Sequence, residues 1–218
     1  MRTVTFRSSG RIVPVGKILC LGRNYAEHAR EMLAETPETP VVFIKPATAL
    51  LGDGGEITIP PVSKELHYEV EMVVLIGKEG KRIPASEAMN YVEGYGVGLD
   101  MTLRDVQADA KKKGLPWSVA KGFDTSAPVS AFVEKQAVAD PHTLDISLKV
   151  NGITRQRSNT KNMIFRLDFV IAFLSGIFTL EPGDLIFTGT PEGVGPAVAG
   201  NVLEAELESV GILIVRVR

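Results

Sequence analysis

The stretch His67-Tyr68-Glu69-Val70-Glu71-Met72-Val73-Val74-Leu75-Ile76 constrains the fold more than any other. It comes after Pro60-Pro61, stops at Gly77 and is rich in β-branched residues, so it predicts a β-strand rather than a helix. Alternate residues of a strand share a face, and two residues rise about 7 Å, so Glu69 and Glu71 can converge on one point. Two bare carboxylates on a half-buried face repel, and one must hold a proton unless a cation lies between them. Oxygen-only ligands suit magnesium, manganese or calcium. The competing reading is a solvated edge strand, and the apolar residues around the acids weigh against it.

A chain of 218 residues is long enough for a sizeable core within one domain. A hydrophobic content of 44% and a net charge of −2 describe a folded globular chain and speak against a nucleic-acid partner. The one cysteine, Cys20, lies in the apolar run Ile18-Leu19-Cys20-Leu21. It therefore reads as a core residue, with no internal disulfide and no cysteine-based zinc site. Neither a secretory pattern nor an apolar run of membrane-spanning length is visible, so we expect a cytoplasmic protein without a membrane partner.

Residues 4–15 predict a hairpin turning near Ser9-Gly10, and Lys17 to Leu21 a strand. Arg23 to Leu33 predicts a helix with Asn24 as N-cap and Glu27 three residues on. Prolines 37 and 40 end it, and little anchors it, so it reads as a lid. Val41 to Pro46 is an apolar strand carrying Lys45. Gly94 to Leu99 predicts a strand with Asp100 at its end. Thr102-Leu103-Arg104-Asp105 reads as a capping box for a helix to Lys113, stopped by Gly114 and Pro116. Asn151-Gly152 is a strong hairpin signal. The spacing of Met163, Ile164, Leu167, Val170, Ile171 and Leu174 predicts a core-facing helix. Leu185 to Thr188, Val202 to Leu207 and Ile212 to Val217 read as strands. Many strands, few helices and no βαβ alternation give a mainly β, α+β class.

Asp100 is the natural third metal ligand, although an acid there can also support the next helix's N-terminus. Arg104 and Gln107 share a helix face and can hold a substrate carboxylate or carbonyl if they point inward. His28 and Glu31 stand at i and i+3, where a carboxylate fixes an imidazole's tautomer and raises its basicity, as a general base requires. The same pair could be an ordinary solvated helix surface. His67 can serve as a partner to the acids or as a ligand ranked below them, since hard cations need no imidazole, and His142 beside Pro141 reads as surface. Lys121 in an uncharged stretch can stabilise an enolate or take part in proton transfer, or be a snorkelling surface lysine. The glycine-rich Gly189 to Pro196 lacks a phosphate-loop ending, but can present Thr190 and backbone N–H groups to an anion.

In this order, the stretches GRNYAEHAREM, FIKPATA, LHYEVEMVVLIGK, the long run from Tyr91 to Asp124, PVSAFV, KVNG and LEPGDLIFTGTPEGVGP resemble the fumarylacetoacetate hydrolase superfamily, in its short acylpyruvase and oxaloacetate decarboxylase branch. The resemblance implies a mixed β-sandwich roll with a few short helices and a lid helix, usually a homodimer. It sets residues 1–16 apart as a short hairpin segment and makes 17–218 a single catalytic domain. It makes Glu69, Glu71 and Asp100 ligands of Mg2+ or Mn2+, with Ca2+ possible in crystals. It makes His28 and Glu31 the dyad that activates water, Lys121 the catalytic lysine, and Gln107 its neighbour at the oxyanion. Arg23, Asn24, Tyr25, Lys45, Arg104 and Thr190 match positions lining the substrate site. The implied activity is hydrolysis of the C–C bond of acylpyruvates, with a small keto-diacid or acylpyruvate as partner. Oxaloacetate decarboxylation, and isomerisation or decarboxylation of muconate-type diacids in aromatic catabolism, use the same kind of site. A metal-stabilised binding domain without catalysis would need the acids but not His28, Glu31 or Lys121.

Overall fold

The computed structural model describes residues 2–31 and 35–218. Its backbone is a six-stranded sheet in the order Val133–Glu134, Val92–Leu99, Val70–Ile76, Leu185–Phe187, Ile18–Gly22, Val41–Lys45. A five-stranded sheet runs Ile153–Asn159, Asp145–Val150, Val202–Leu207, Gly211–Val217, Glu56–Ile57. Leu185–Phe187 pairs parallel with Ile18–Gly22 and antiparallel with Val70–Ile76, so the larger sheet is mixed. The expected mainly β, α+β sandwich roll is the observed fold.

All of Val70–Ile76 is buried, because the strand has a core on each side. Met72, Val74 and Ile76 face a large core shared with Ile146, Leu148, Leu203 and Leu213 of the second sheet and with Val170, Ile171 and Leu174 of the helix Leu167–Ile177. Val73 and Leu75 face a smaller core with Cys20, Phe132 and Phe187. A strand covered on both faces carries a continuous apolar run, and Met72 to Ile76 is such a run. On the neighbouring strand, Gly98 lacks a side chain for a packing reason: a Cβ there would lie 2.7 Å from Val73 Cγ2 and 2.9 Å from Phe187 Cε1. The hairpin Thr3–Thr5 with Ile12–Pro14 adds Val4, Phe6, Val13 and Val15 to the smaller core. Among the described residues no helix is long and apolar enough to cross a membrane.

Several local expectations are corrected. The stretch from His67 to Ile76 is not one strand. It breaks at Glu69 into Leu66–Tyr68, which pairs with Thr102–Leu103 and Gly195–Ala197 in a small third sheet, and Val70–Ile76. The first helix is described over Ala26–Glu31, and the expected continuation to Leu33 lies outside the described residues. Asn24 is not its cap. It is fully buried, donates to the carbonyls of Phe165 and Thr188, and accepts from Phe165 N–H. The capping box does not form: Thr102 and Leu103 are a short strand, and Thr102 Oγ1 donates to Asp100 O. Asp105 instead accepts from Ser63 Oγ and from the N–H groups of Lys64 and Val106. Met163 and Ile164 precede the long helix, and Met163 bridges to Tyr25. His142 is buried, not surface, and its Nε2 accepts the N–H of Leu167 at that helix's first turn. By contrast Asn151 (φ 50°) and Gly152 (φ 80°) make the expected tight hairpin between Asp145–Val150 and Ile153–Asn159. Gly114 (φ 65°) ends Arg104–Lys113 in the left-handed conformation.

Candidate active site

The site forms where the large sheet and the small one part. Glu69 occupies the break, Glu71 lies on Val70–Ile76, and Asp100 comes directly after Val92–Leu99. Asp100 N–H donates to Glu69 O at 2.8 Å, which sets the two acids side by side across the end of the strand pair. Carboxylate oxygens of Glu69, Glu71 and Asp100 all lie within 4.8 Å of one another, and all three residues are buried.

Lys121 ends the short helix Ser118–Lys121 and reaches into this group. Its Nζ donates to Glu69 Oε2 (2.8 Å), Asp100 Oδ2 (2.6 Å) and Thr102 Oγ1 (2.6 Å). Burial alone would lower its pKa, but the charges of Asp100 and Glu69 outweigh that and raise it. In this cluster Lys121 stands as an ammonium between two carboxylates. Burial drives Glu69 toward protonation, but Lys121 and Arg104 overcome it, and Glu69 stays well below the usual carboxylate range. Glu71 goes the other way: burial, then the charges of Asp100 and Glu69, raise its pKa well above the usual value.

These observations fit a hard divalent cation. The donors are oxygens only, and among the described residues Glu71, buried beside two other carboxylates, makes no ion pair with a lysine or arginine. Glu71 Oε2 receives the N–H of Gly189 at 2.7 Å, which aims the carboxylate.

His28 and Glu31 lie on one turn of Ala26–Glu31, with Nδ1 and Oε2 3.2 Å apart. A carboxylate can only accept, so Nδ1 carries the proton and Nε2 keeps its lone pair. Both oxygens of Glu31 also accept from Gly193 N–H, at 3.0 and 3.2 Å. His28, Glu69, Glu71 and Lys121 line one cavity with Arg23, Arg104, Gln107 and Thr190. Arg104 donates to Glu69 Oε1 (2.5 Å), Gln107 Oε1 (2.7 Å) and His67 Nδ1 (3.3 Å). With its oxygen taken, Gln107 keeps its NH2 for a ligand.

Three of the expected substrate-lining residues stand elsewhere. Lys45 is fully buried behind Asp100, with Nζ on Asp100 Oδ1 and the carbonyls of Met101, Lys121 and Ser126. Asn24 ties the chain before the lid helix to the core. Tyr25 is buried off the cavity, with a hydroxyl that has no partner among the described residues.

The sequence reading missed Gln156. This side chain is 1% exposed, on a strand whose flanking residues are exposed. It accepts from Val70 N–H and donates to Thr190 Oγ1 and Pro191 O, so it sets the glycine-rich turn against the strand that carries Glu71. Phe43, Lys111 and Trp117 also line the cavity. For Lys111 a signal was present: it continues the row Arg104, Gln107 at i, i+3 and i+7.

The fold and the site together define a mainly β enzyme scaffold around a candidate hard-metal centre. A sequence profile described as fumarylacetoacetate (FAA) hydrolase C-terminal matches residues 17–218. A mitochondrial oxaloacetate tautomerase of Mus musculus is 51% identical over 193 residues, covering 88% of this chain and 87% of that protein. The crystal structure of fumarylpyruvate hydrolase from Pseudomonas aeruginosa, in complex with Mn2+ and pyruvate, superposes with a TM-score of 0.96 at 42% identity, covering 99% of this chain and 94% of that one. A 5-carboxymethyl-2-hydroxymuconate delta-isomerase from Mycobacterium smegmatis superposes with a TM-score of 0.85 at 36% identity, covering 99% and 81%. The chain belongs to the fumarylacetoacetate hydrolase family, and is a metal-dependent enzyme of that family.

Proposed function

We propose that this enzyme hydrolyses acylpyruvates, 2,4-dioxo acids, to pyruvate and a carboxylic acid. The observation that carries this reading is that His28, paired with Glu31 through Nδ1, lines the same cavity as Glu69 and Glu71, with the imidazole Nε2 free to take a proton. A Mg2+ or Mn2+ ion held by Glu69, Glu71 and Asp100 would supply a Lewis acid for the substrate's carboxylate and 2-oxo oxygens. Gln107 and Arg104 orient the substrate from the helix side, and Thr190 from the glycine-rich turn. His28 Nε2 takes a proton from water, while Glu31 keeps the ring in the productive tautomer. The hydroxide adds to the C4 carbonyl, and the C3–C4 bond breaks. Its electron pair stays on C3 as the enolate of pyruvate, stabilised by the fixed charge of Lys121. The proton on His28 returns to C3, and the oxygen from water leaves in the acid.

A second reading, oxaloacetate keto–enol tautomerisation, is favoured by the name of the 51%-identical mouse relative. It uses the same enolate and the same proton carrier, without attacking water. Oxaloacetate decarboxylation also ends in that enolate. We expect a homodimer, which light scattering on the purified protein checks.

The test compares acetylpyruvate cleavage with oxaloacetate tautomerisation and decarboxylation in Mn2+, for wild type and His28→Ala. Acetylpyruvate cleavage that falls 10²- to 10⁴-fold in the variant, about what one general base contributes, supports the hydrolase reading. Rapid tautomerisation by a wild type that leaves acetylpyruvate intact would replace it with the second.

A further inference from the structure

Two cations in the active-site cavity have no work in the hydrolytic mechanism. Arg23 and Lys111 line it, and among the described residues neither makes an ion pair or a side-chain hydrogen bond. The other charges of the site are already matched. Lys45 and Lys121 contact Asp100 at 2.8 and 2.6 Å and Arg104 contacts Glu69 at 2.5 Å, so three cations already stand beside the three acids Glu69, Glu71 and Asp100. A divalent cation on the triad would therefore bring a surplus of positive charge, and Arg23 and Lys111 increase it. A substrate with one carboxylate leaves most of that surplus uncompensated.

The placement of the two residues is specific. Lys111 is at the exposed rim, on the helix row of Arg104 and Gln107, and its Nζ lies 5.3 Å from the centre of the Trp117 ring. Its neighbours on the helix are not equivalent: Lys113 pairs with Asp109 at 2.8 Å. Arg23 holds a left-handed backbone, φ 59°, between Gly22 and the buried Asn24. Such a conformation is costly for a residue other than glycine and persists only where the surroundings impose it. Burial lowers the pKa of Lys111, and the charges of Arg104 and Arg23 lower it further, so these cations repel one another across the cavity when no anion is present.

We propose that Arg23 and Lys111 form a subsite for a second carboxylate at the far end of the substrate, and that they select 2-oxo diacids over 2-oxo acids with an uncharged tail. This rests on the keto-acid reading of the site and deepens it. Both are specificity residues at the rim; neither touches the reacting atoms.

The experiment uses the Mn2+-loaded protein and measures calorimetric binding of pyruvate, 2-oxoglutarate and 2-oxoadipate to wild type, Lys111→Gln, Arg23→Gln and the control Lys112→Gln. The quantity read is the affinity of the better diacid relative to pyruvate. It should favour the diacid in wild type and in Lys112→Gln, and fall about tenfold in Lys111→Gln and in Arg23→Gln, the loss of one charge-assisted hydrogen bond each. A ratio within twofold of wild type in both variants overturns the proposal, as does a wild type that shows no preference. Because binding is read without turnover, a protein that cleaves no acylpyruvate sinks the hydrolase reading while this ratio still decides the subsite.

Discussion

The two charged groups that face each other across the cavity are held in opposite ways. Glu69, Asp100 and Lys121 come from different elements and are buried in short contacts of 2.6 to 2.8 Å. Lys45, with no exposure at all, backs them. The dyad of His28 and Glu31 rides on a helix described over Ala26–Glu31 and no longer present at Glu35, too short to be stable alone. Glu31 is exposed and meets the rest of the protein through Gly193 N–H. The charges that stabilise an enolate need to be stationary before the reaction begins. The group that moves a proton can sit on a part that opens to admit substrate.

This contrast can be broken most directly at Lys121. Lys121→Met leaves Glu69 and Asp100 facing each other without their shared ammonium, which should cost roughly 3–5 kcal/mol of stability in metal-free protein. Turnover should fall by about 10³ or more. Denaturant unfolding with a chelator present, beside steady-state kinetics, reads both. Unchanged stability would mean that the cluster is no more rigidly built than the lid. His28→Ala should give the opposite profile: a 10²- to 10⁴-fold loss of hydrolysis, with melting temperature and Mn2+ affinity close to wild type. A large drop in melting temperature would show that the lid helix is part of the core after all.

Gly193→Ala sharpens the point at the backbone N–H that both oxygens of Glu31 accept from. Gly193 has φ 92°, and a Cβ would lie 2.3 Å from Arg155 O, so the turn must shift away from Glu31. We expect about 1–3 kcal/mol of destabilisation and a kcat loss smaller than that of His28→Ala. Urea unfolding and acylpyruvate kinetics on the same preparation check it, and a kcat equal to wild type would remove the turn from the dyad's support.

The smallest effect lies away from the site. His142 accepts Leu167 N–H through Nε2, and burial together with the Arg166 charge lowers its pKa below the ordinary 6.5. The unfolded chain thus binds a proton that the folded one refuses. Stability should be complete above about pH 6.5 and decline as pH falls from there through the lowered folded value. Melting curves from pH 5 to 8 should show this slope flattened in His142→Gln; an identical slope would remove His142 from the acid response.

Legibility in the chain depends on which signals are local. The apolar run after Glu71, the Asn151-Gly152 turn and Gly114 after a helix each state their structure within a few residues. The acids, the dyad and Lys121 were legible as residue types in order. The break at Glu69 was not, because it comes from two different sheets claiming the two halves of one extended stretch. The burial of Lys45 behind Asp100 was not legible, because nothing local says that Met101, Lys121 and Ser126 turn their carbonyls toward it. Gln156 and His142 were invisible for a similar reason: each is polar beside exposed residues, and only long-range packing buries it. Lys111 could have been found from the helical row it shares with Arg104 and Gln107.

The glycine-rich turn has a consequence beyond its hydrogen bonds. Gly189 binds Glu71 and Gly193, four residues later, binds Glu31, so one short piece of backbone touches the carboxylate that faces the metal position and the one that orients the general base. It acts as a ruler. Most surface turns accept an added residue at little cost, but one extra residue between Gly189 and Gly193 would change the spacing of the two halves of the active site, whatever residue it was. The identity of the residues in between is freer than their number, and length is the property that the chemistry of this cavity reads there.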